Sequence, residues 1–466
     1  MKVLFTNPPT FEHSGSFNRP IRFPAYNYAT PVMHPPLLLA YAAAYVRARG
    51  HDVYLIDAPV KAQTVEGFLA EIAGIAPDYV VAETSTPSFS NDVAVARMIK
   101  QTVPCQTVFV GSHVSALPIP CLEQSDLDAV IVGEYEVSLA EYIDKGPKNT
   151  ASVAYREIDG NITVNERRAY IEDLDSLPFP ARDLLPNNKY FDPILLNPFT
   201  FVLAGRGCPY RCTYCNWPQL LTGRRYRCRT PENIIDELAM IEQEYSFKSF
   251  LFNDDTFTVN RDHAMRVCQG IIDRGIKLDW GCYARADTTD RELLEKLREA
   301  GCFILKVGVE SGNQTLLNNM RKGYKIAEVY KGIALMKELG FHVHATFVFG
   351  MPGETNETIK QTIAFAKELD TSTVQFSTAI PYPGTEFYQL LQDNDYLLED
   401  SWDNFMPAHP IFAYPDLSAR DLCLSVKKAY RSYYLRPKYV KEGIRGLFTE
   451  PKKYIAIARK LVKLVS

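Results

Sequence analysis

Three cysteines stand close enough together to share one task. In the segment GRGCPYRCTYCNWP (205–218), Cys208, Cys212 and Cys215 follow the spacing C-x3-C-x2-C. Three thiolates on so short a stretch are able to hold three irons of a 4Fe-4S cluster, and the fourth iron is then left without a protein ligand. An open coordination position is what a reactive metal centre needs. Zinc fits less well, because its sites usually come as two paired ligand groups completing a tetrahedron and no partner pair stands nearby; plain packing cysteines are the remaining reading. The other seven cysteines, at positions 105, 121, 228, 268, 282, 302 and 423, have no compact ligand spacing and are read as packing residues or inert thiols. Cys228, just beyond the loop, is the one placed for a second site.

Such a loop needs rigid elements on both sides. From residue 199 the sequence alternates apolar runs with segments of helical spacing. Strands are expected at 200–204, 249–252, 278–282, 303–309, 343–349 and 373–379, and helices at 231–245, 261–273, 290–300, 326–339 and 355–369. Six βα repeats make a partial TIM-like barrel, and the cysteine segment follows its first strand, where active-site residues of barrels gather. The first ~145 residues repeat the alternation, with strands at 2–6, 52–56, 79–82, 107–110 and 129–132 and helices at 37–49, 65–75, 91–102 and 138–143. Continuous apolar runs suit strands covered on both faces, so this front part reads as a doubly wound, Rossmann-like α/β sheet. Its ligand would sit outside the carboxyl ends of the strands, at loops 7–9, 83–90, 111–118 and 133–136. Between the two lie a β-hairpin at 151–168, turning at Asp159-Gly160, and a proline-rich linker at 174–186. The expected division is 1–147, 148–198 (hairpin and linker), 199–388 (barrel) and 389–466 (helical extension).

Composition narrows the classes. Hydrophobic residues make up 46 % and charged residues 23 % of 466, so wholesale disorder is excluded. A net charge of −4 argues against a nucleic-acid coat. The apolar run 37–46 is far short of the ~20 residues that span a bilayer, and MKVLFTNPP lacks the apolar core of a signal peptide. A cytoplasmic protein is expected, with cysteines kept out of disulfides.

The cysteine spacing in this setting resembles the radical SAM superfamily, and other segments across 199–385 match that family's layout. Tyr214 holds the aromatic position that in such proteins lies against the adenine of S-adenosylmethionine (SAM). The second strand ends FNDDTF, and the resemblance puts Asp254 and Asp255 near the amine or carboxylate of SAM, with a helix N-cap as the alternative. Arg285, closing YAR on the third strand, is implied to pair with the SAM carboxylate bidentately, or else with a salt-bridge partner at the barrel mouth. Glu310 and Ser311 in VESG would meet the ribose and amino-acid portion, a mouth salt bridge being the other reading of Glu310. Gly350, Pro352 and Gly353 in FGMPGE would let the backbone approach the adenine edge, or form only a tight turn. The resemblance implies that Cys208, Cys212 and Cys215 hold a 4Fe-4S cluster. It also implies reductive cleavage of SAM to methionine and a 5′-deoxyadenosyl radical, and hydrogen removal from an unactivated carbon. No acid or base side chain performs that last step. An electron donor such as flavodoxin or ferredoxin is implied with it.

Residues 1–145 resemble the cobalamin-binding domain often placed before such a barrel. The matching pieces are Asn7 in NPP, Thr84 and Ser85 after the third strand, Gly111, Ser112 and His113 after the fourth, and Gly133 and Glu134 after the fifth. Small and hydroxyl-bearing loops suit a nucleotide tail. The D-x-H-x-x-G signature of cobalamin mutases is missing, and Glu12-His13-Ser14-Gly15 does not replace it. His113 is read as a loop or interface histidine ahead of a cobalt ligand. The expected function is cobalamin-dependent C-methylation of a small-molecule or lipid-like substrate. The alternative is corrinoid-independent cyclisation, ring contraction or carbon–carbon coupling in hopanoid or tetrapyrrole metabolism. tRNA modification is a minor reading, disfavoured by the negative charge and by a front half with only Cys105 and Cys121. Residues 436–466 hold nine Lys or Arg and two Glu. The segment 454–465 is expected to form a basic helix, packed on the barrel or touching a membrane surface, and the aromatic-rich stretch 17–28 suits the second option.

Overall fold

The computed structural model describes residues 1–11, 16–19, 25–27, 32–399, 401–406 and 409–441. The front sheet is built on the five expected parallel strands: β1 (Lys2–Asn7), β2 (Asp52–Asp57), β3 (Tyr79–Glu83), β4 (Gln106–Val110) and β5 (Ala129–Ile131), in the order β2-β1-β3-β4-β5. The hairpin strands β6 (Val153–Arg156) and β7 (Ile162–Val164) then extend it antiparallel, β5 pairing with β6 through Ala129 opposite Tyr155. The hairpin therefore completes the front sheet, with Val153 and Tyr155 in the front core.

Helix α1 (Leu37–Ala48) is apolar nearly all round and is buried on nearly every face. That is the behaviour of a helix sandwiched between layers. One side covers the front sheet and helix α2 (Glu136–Lys145); Leu38 and Tyr41 turn to the barrel.

The barrel follows the sequence expectation. Its six strands are β8 (Phe199–Val202), β9 (Ser249–Phe252), β10 (Asp279–Ala284), β11 (Cys302–Glu310), β12 (His342–Phe349) and β13 (Thr373–Thr378), all parallel and in consecutive order. Between them run α3 (Pro231–Glu244), α4 (Arg261–Arg274), α5 (Arg291–Glu299), α6 (Ile326–Glu338) and α7 (Asn356–Leu369). Their starts are fixed chemically: Thr230, Asn260, Asp290 and Thr355 each accept a hydrogen bond from an amide of the first helical turn.

The linker contains three short turns, Leu174–Ser176, Arg182–Leu184 and Asn187–Lys189, and no longer helix. It is not a loose tether. Arg182 is buried, donates to Thr200 Oγ1 and Phe201 O, and pairs with Glu237 of α3 at 2.6 Å. Phe199, Phe201 and Leu203 on the inner side of the first barrel strand belong to the same apolar cluster as Val3, Phe5 and α1. Beyond β13, a helix at Glu386–Asp393 and α8 (Ala419–Tyr434) pack back on the barrel. The basic segment 454–465 lies outside the described residues, as does part of the aromatic stretch 17–28.

Candidate active site

The cysteine loop leaves the barrel at the carboxyl end of β8. Its neck is a short antiparallel pair, Gly205–Arg206 with Arg227–Cys228. Gly207 sits at φ +96°, and a Cβ there would lie 2.2 Å from Arg225 O, so only glycine lets the loop fold back this tightly. Cys208 donates its amide to Gly223 O at 3.1 Å. Thr213 binds the loop after β11 (N to Met320 O, 3.0 Å) and the helix at 386–393 (Phe387 N to Thr213 O, 3.1 Å). Cys208 and Cys212 are buried and Cys215 is half-buried; no cysteine is in a disulfide. Among the described residues no set of three or more His, Cys, Asp or Glu side chains is drawn into a finished metal cage. The donor set nonetheless fits an iron–sulfur cluster: three thiols on one loop, folded over by its own amides, at a strand end. Within the loop Thr213 Oγ1 is buried without a hydrogen-bond partner.

The two aspartates that the resemblance puts near SAM bind this loop. Asp254 accepts from Ala204 N (3.1 Å) and Tyr226 OH (2.8 Å), and burial pushes its pKa up to about 7. Asp255 accepts from Gly207 N (3.2 Å) and Thr222 Oγ1 (2.8 Å). Together they anchor both ends of the loop; the N-cap of α4 is Asn260, so neither aspartate caps it.

Glu310 ends β11 at a bulge, with a left-handed φ of +69°. It pairs with Lys322 at 2.8 Å, both largely buried. Burial works to lower the Lys322 pKa, but Glu310 overrides it and raises it. A Cβ on Gly308 would meet Glu310 Oε1 at 2.3 Å and Lys322 Nζ at 2.9 Å, so the pair needs glycine there. Tyr214 is buried in the same pocket, and its pKa is raised by burial first and then by Glu310, Cys212 and Cys215. This brings Tyr214, Glu310 and the cysteines together. Ser311 Oγ lies 3.1 Å from Thr362 Oγ1. Arg285 forms a two-pronged pair with Asp287 (2.9 and 2.8 Å) and lies 3.5 Å over the Tyr210 ring of the cysteine loop. It thus borders the site while its guanidinium fork is held by a neighbour. Gly350 N donates to Glu354 Oε2 (3.2 Å), and Pro352 O accepts from Asn319. Gly350 and Gly353 both have positive φ and tight neighbours, so the turn is required by packing as well. Cys228 accepts a long contact from Asn260 (3.8 Å), and burial pushes its thiol up to about 11; it is not joined to the cysteine loop's trio.

Lys322 and Tyr324 were invisible in the sequence. A loop lysine ordinarily reads as a solvated charge, and only the position of Glu310 reveals its partner. The barrel interior was equally silent. His342, His344 and Thr346 of β12 and Thr373, Gln375 and Ser377 of β13 share a half-buried face, while Val343, Ala345, Phe347, Val374 and Phe376 pack against helices. Deeper in, Asp192 of the linker bridges His34 (3.0 Å) and Lys306 (3.2 Å).

The front loops converge on the same region. Asn7, Thr84, Ser85, Gly111, His113 and Gly133 are buried and Ser112 is half-buried at the carboxyl edge of the sheet. Gly111 (φ +113°) approaches Thr84 so closely that a Cβ would lie 2.4 Å from its carbonyl oxygen. Ser115 Oγ joins the fourth and fifth loops, donating to Gly111 O and accepting from Gly133 N. Asn7 Oδ1 is buried there with no hydrogen-bond partner. A hydroxyl-lined edge with a spare acceptor fits a corrinoid bearing amide arms. His113 is 1 % exposed, lies 3.2 Å from Thr86 Oγ1 and packs on Phe89 and Trp402. Burial lowers its pKa to about 3, which keeps it neutral in an aromatic interface. Glu134 pairs with Arg206 (3.4 Å) and Arg227 (2.8 Å) and accepts from Ile171 N; Glu136 pairs with Arg206 at 2.6 Å. All four side chains are at most 6 % exposed. The carboxylate expected at the corrinoid is thus spent on binding the neck of the cysteine loop.

Comparison with known proteins agrees with this geometry. Residues 202–366 match the Radical SAM superfamily, and residues 29–143 match the B12 binding domain. An uncharacterized methyltransferase of Pyrococcus horikoshii is 32 % identical over 469 residues, covering 96 % of this chain and 98 % of that protein. The anaerobic magnesium-protoporphyrin IX monomethyl ester cyclase of Rubrivivax gelatinosus is 26 % identical, over 94 % of this chain and 78 % of that one. The solved structure of a radical SAM methyltransferase, TsrM, from Kitasatospora setae, with cobalamin and a 4Fe-4S cluster bound, superposes with a TM-score of 0.68 at 18 % identity, covering 84 % of this chain and 75 % of that one. The fold is an iron–sulfur barrel preceded by a corrinoid-type domain. The chain belongs to the radical SAM superfamily, with a B12 binding domain ahead of the barrel. It is an enzyme of that family, and its cofactors are a 4Fe-4S cluster, SAM and cobalamin.

Proposed function

We propose that the chain methylates an unactivated carbon of a small molecule that carries hydrogen-bonding groups, and that it works in the reducing cytosol. The observation that carries this reading is the junction itself. Arg206, two residues before the first cluster cysteine, is ion-paired to Glu134 in the front domain's last loop and to Glu136 at the start of α2. The two cofactor-bearing edges are thereby held face to face. When bound, the cluster supplies the electron that splits SAM, and the corrinoid carries the methyl group. The chain supplies the rest. Cys208, Cys212 and Cys215 hold the iron, and Asp254 and Asp255 fix the ends of their loop. Tyr214, Glu310, Lys322 and Arg285 wall the nucleotide side. Trp217, Leu220 and Leu221, packed on Leu38 and Ala116, keep water out of the seam. The half-buried polar face of β12 and β13 supports a substrate with groups to hydrogen-bond rather than a bare hydrocarbon. Among the described residues no helix is long and apolar enough to cross a membrane.

The test is an air-free reconstitution with hydroxocobalamin and SAM labelled in its methyl group. Methyl transfer predicts retained corrinoid, formation of both 5′-deoxyadenosine and S-adenosylhomocysteine, and label in a product one methyl heavier. The cyclase relative keeps one other reading in view. SAM cleavage without retained corrinoid and without S-adenosylhomocysteine would replace methylation with ring closure.

A further inference from the structure

Thr213 stands inside the cysteine loop, between Cys212 and Tyr214, and is 9 % exposed. Its backbone is fully committed. The amide donates to Met320 O at 3.0 Å, and the carbonyl accepts from Phe387 N at 3.1 Å and from Gln219 Nε2 at 3.4 Å. Gln219 also donates to Cys215 O at 2.6 Å, and Cys215 N donates to Cys212 O at 3.4 Å. These bonds lock the segment from three sides and leave the threonine side chain over. A buried threonine hydroxyl commonly donates to a carbonyl of its own chain three or four residues back. Thr213 Oγ1 makes no such bond; among the described residues it is the one serine or threonine hydroxyl so enclosed and without a partner. An enclosed hydroxyl that lacks an acceptor is unfavourable, so this position calls for a ligand atom. It lies between Cys212 and Cys215, where the acceptors that an iron–sulfur group brings are its sulfurs.

We propose that Thr213 Oγ1 donates a hydrogen bond to a sulfur of the iron–sulfur group and thereby raises its reduction potential. The inference rests on the reading that the cysteine loop holds the cluster. Reduction adds one electron, and part of the added charge falls on the sulfurs. A donor held against them stabilises the reduced form more than the oxidised one. Valine keeps the shape of threonine and removes the donor; serine keeps the donor and removes the methyl group.

The test is a dye-mediated redox titration of the intact, anaerobically reconstituted protein without SAM. Dithionite is the reductant, and electron paramagnetic resonance reads the reduced cluster. Thr213→Val is expected to be harder to reduce by about tenfold in the redox equilibrium, ~59 mV for one electron. Thr213→Ala should shift in the same direction, and Thr213→Ser should stay within about twofold of the parent. Parental potentials in the valine and alanine variants overturn the proposal. A serine variant that falls with them also overturns it, because the hydroxyl is then not what matters. Loss of iron from the valine and alanine variants, with circular dichroism unchanged, assigns the hydroxyl to cluster assembly and overturns the tuning role. An unchanged potential with weakened SAM binding makes SAM the acceptor, again against the proposal. Iron-free parent protein after reconstitution would remove the cluster reading itself, and iron content shows that separately.

Discussion

Cys212 carries chemistry in its sulfur and little else: its backbone is held by neighbours and its side chain is small. Cys212→Ala is therefore expected to abolish iron loading and 5′-deoxyadenosine formation while circular dichroism and the melting temperature stay near those of the parent. Retained SAM cleavage would remove the residue from the ligand set. Glu83 offers a different residue-scale test. Burial raises its pKa from 4.5 to about 7, with Arg19 opposing and Asp57 adding to the rise. Between those values the folded chain holds a proton that the unfolded chain has released. Glu83 therefore makes stability fall as pH rises through that window, by up to ~1.4 kcal/mol per pH unit. Glu83→Gln should flatten the dependence there, read from denaturant midpoints at a series of pH values; a parallel curve would contradict the assignment. That Cys208, Cys212 and Cys215 share one short loop was legible in the sequence, because eight residues hold all three. The destinations of Asp254, Asp255 and Arg285 were not. A carboxylate at a strand end can meet a ligand, a helix or a loop with equal local logic, and only the path of residues 204–226 settles which.

At the scale of elements, strands and helices followed directly from apolar runs and capping residues, and nearly all were found where expected. The departures have physical causes. The hairpin reads locally as an independent unit, yet its buried face, Val153 and Tyr155, has no core of its own and pairs with β5. The linker reads as extended, yet Arg182 brings a charge that must be paired once buried, which bolts it to α3. Backbone geometry supplies the prediction here. Gly111→Ala would set a Cβ against Thr84 O at a positive φ, and is expected to cost about 1–3 kcal/mol in chemical denaturation. The variant should also retain less cobalamin, since the third and fourth loops of the front sheet would be pushed apart.

At the scale of the whole molecule, the contacts that matter join residues far apart in the chain, such as Glu134 and Arg227, and no local pattern in the sequence announces them. Glu134→Ala would leave Arg206 and Arg227 buried with one carboxylate fewer, a loss of about 3–5 kcal/mol on the scale of broken buried pairs. It should also raise the rate of proteolysis in the linker, where a purely local destabilisation of the front sheet would not. The apolar cluster that runs from Val3 and Phe5 through α1 to Phe199, Phe201 and Leu203 has a consequence for inheritance. A gene cut at the seam would yield two fragments with sticky, aggregation-prone ends, so a recombination event that transplants the barrel must carry its upstream companion along. Either half made without the other is expected to expose this apolar seam and aggregate, so the two modules are bound by side chains that do no chemistry.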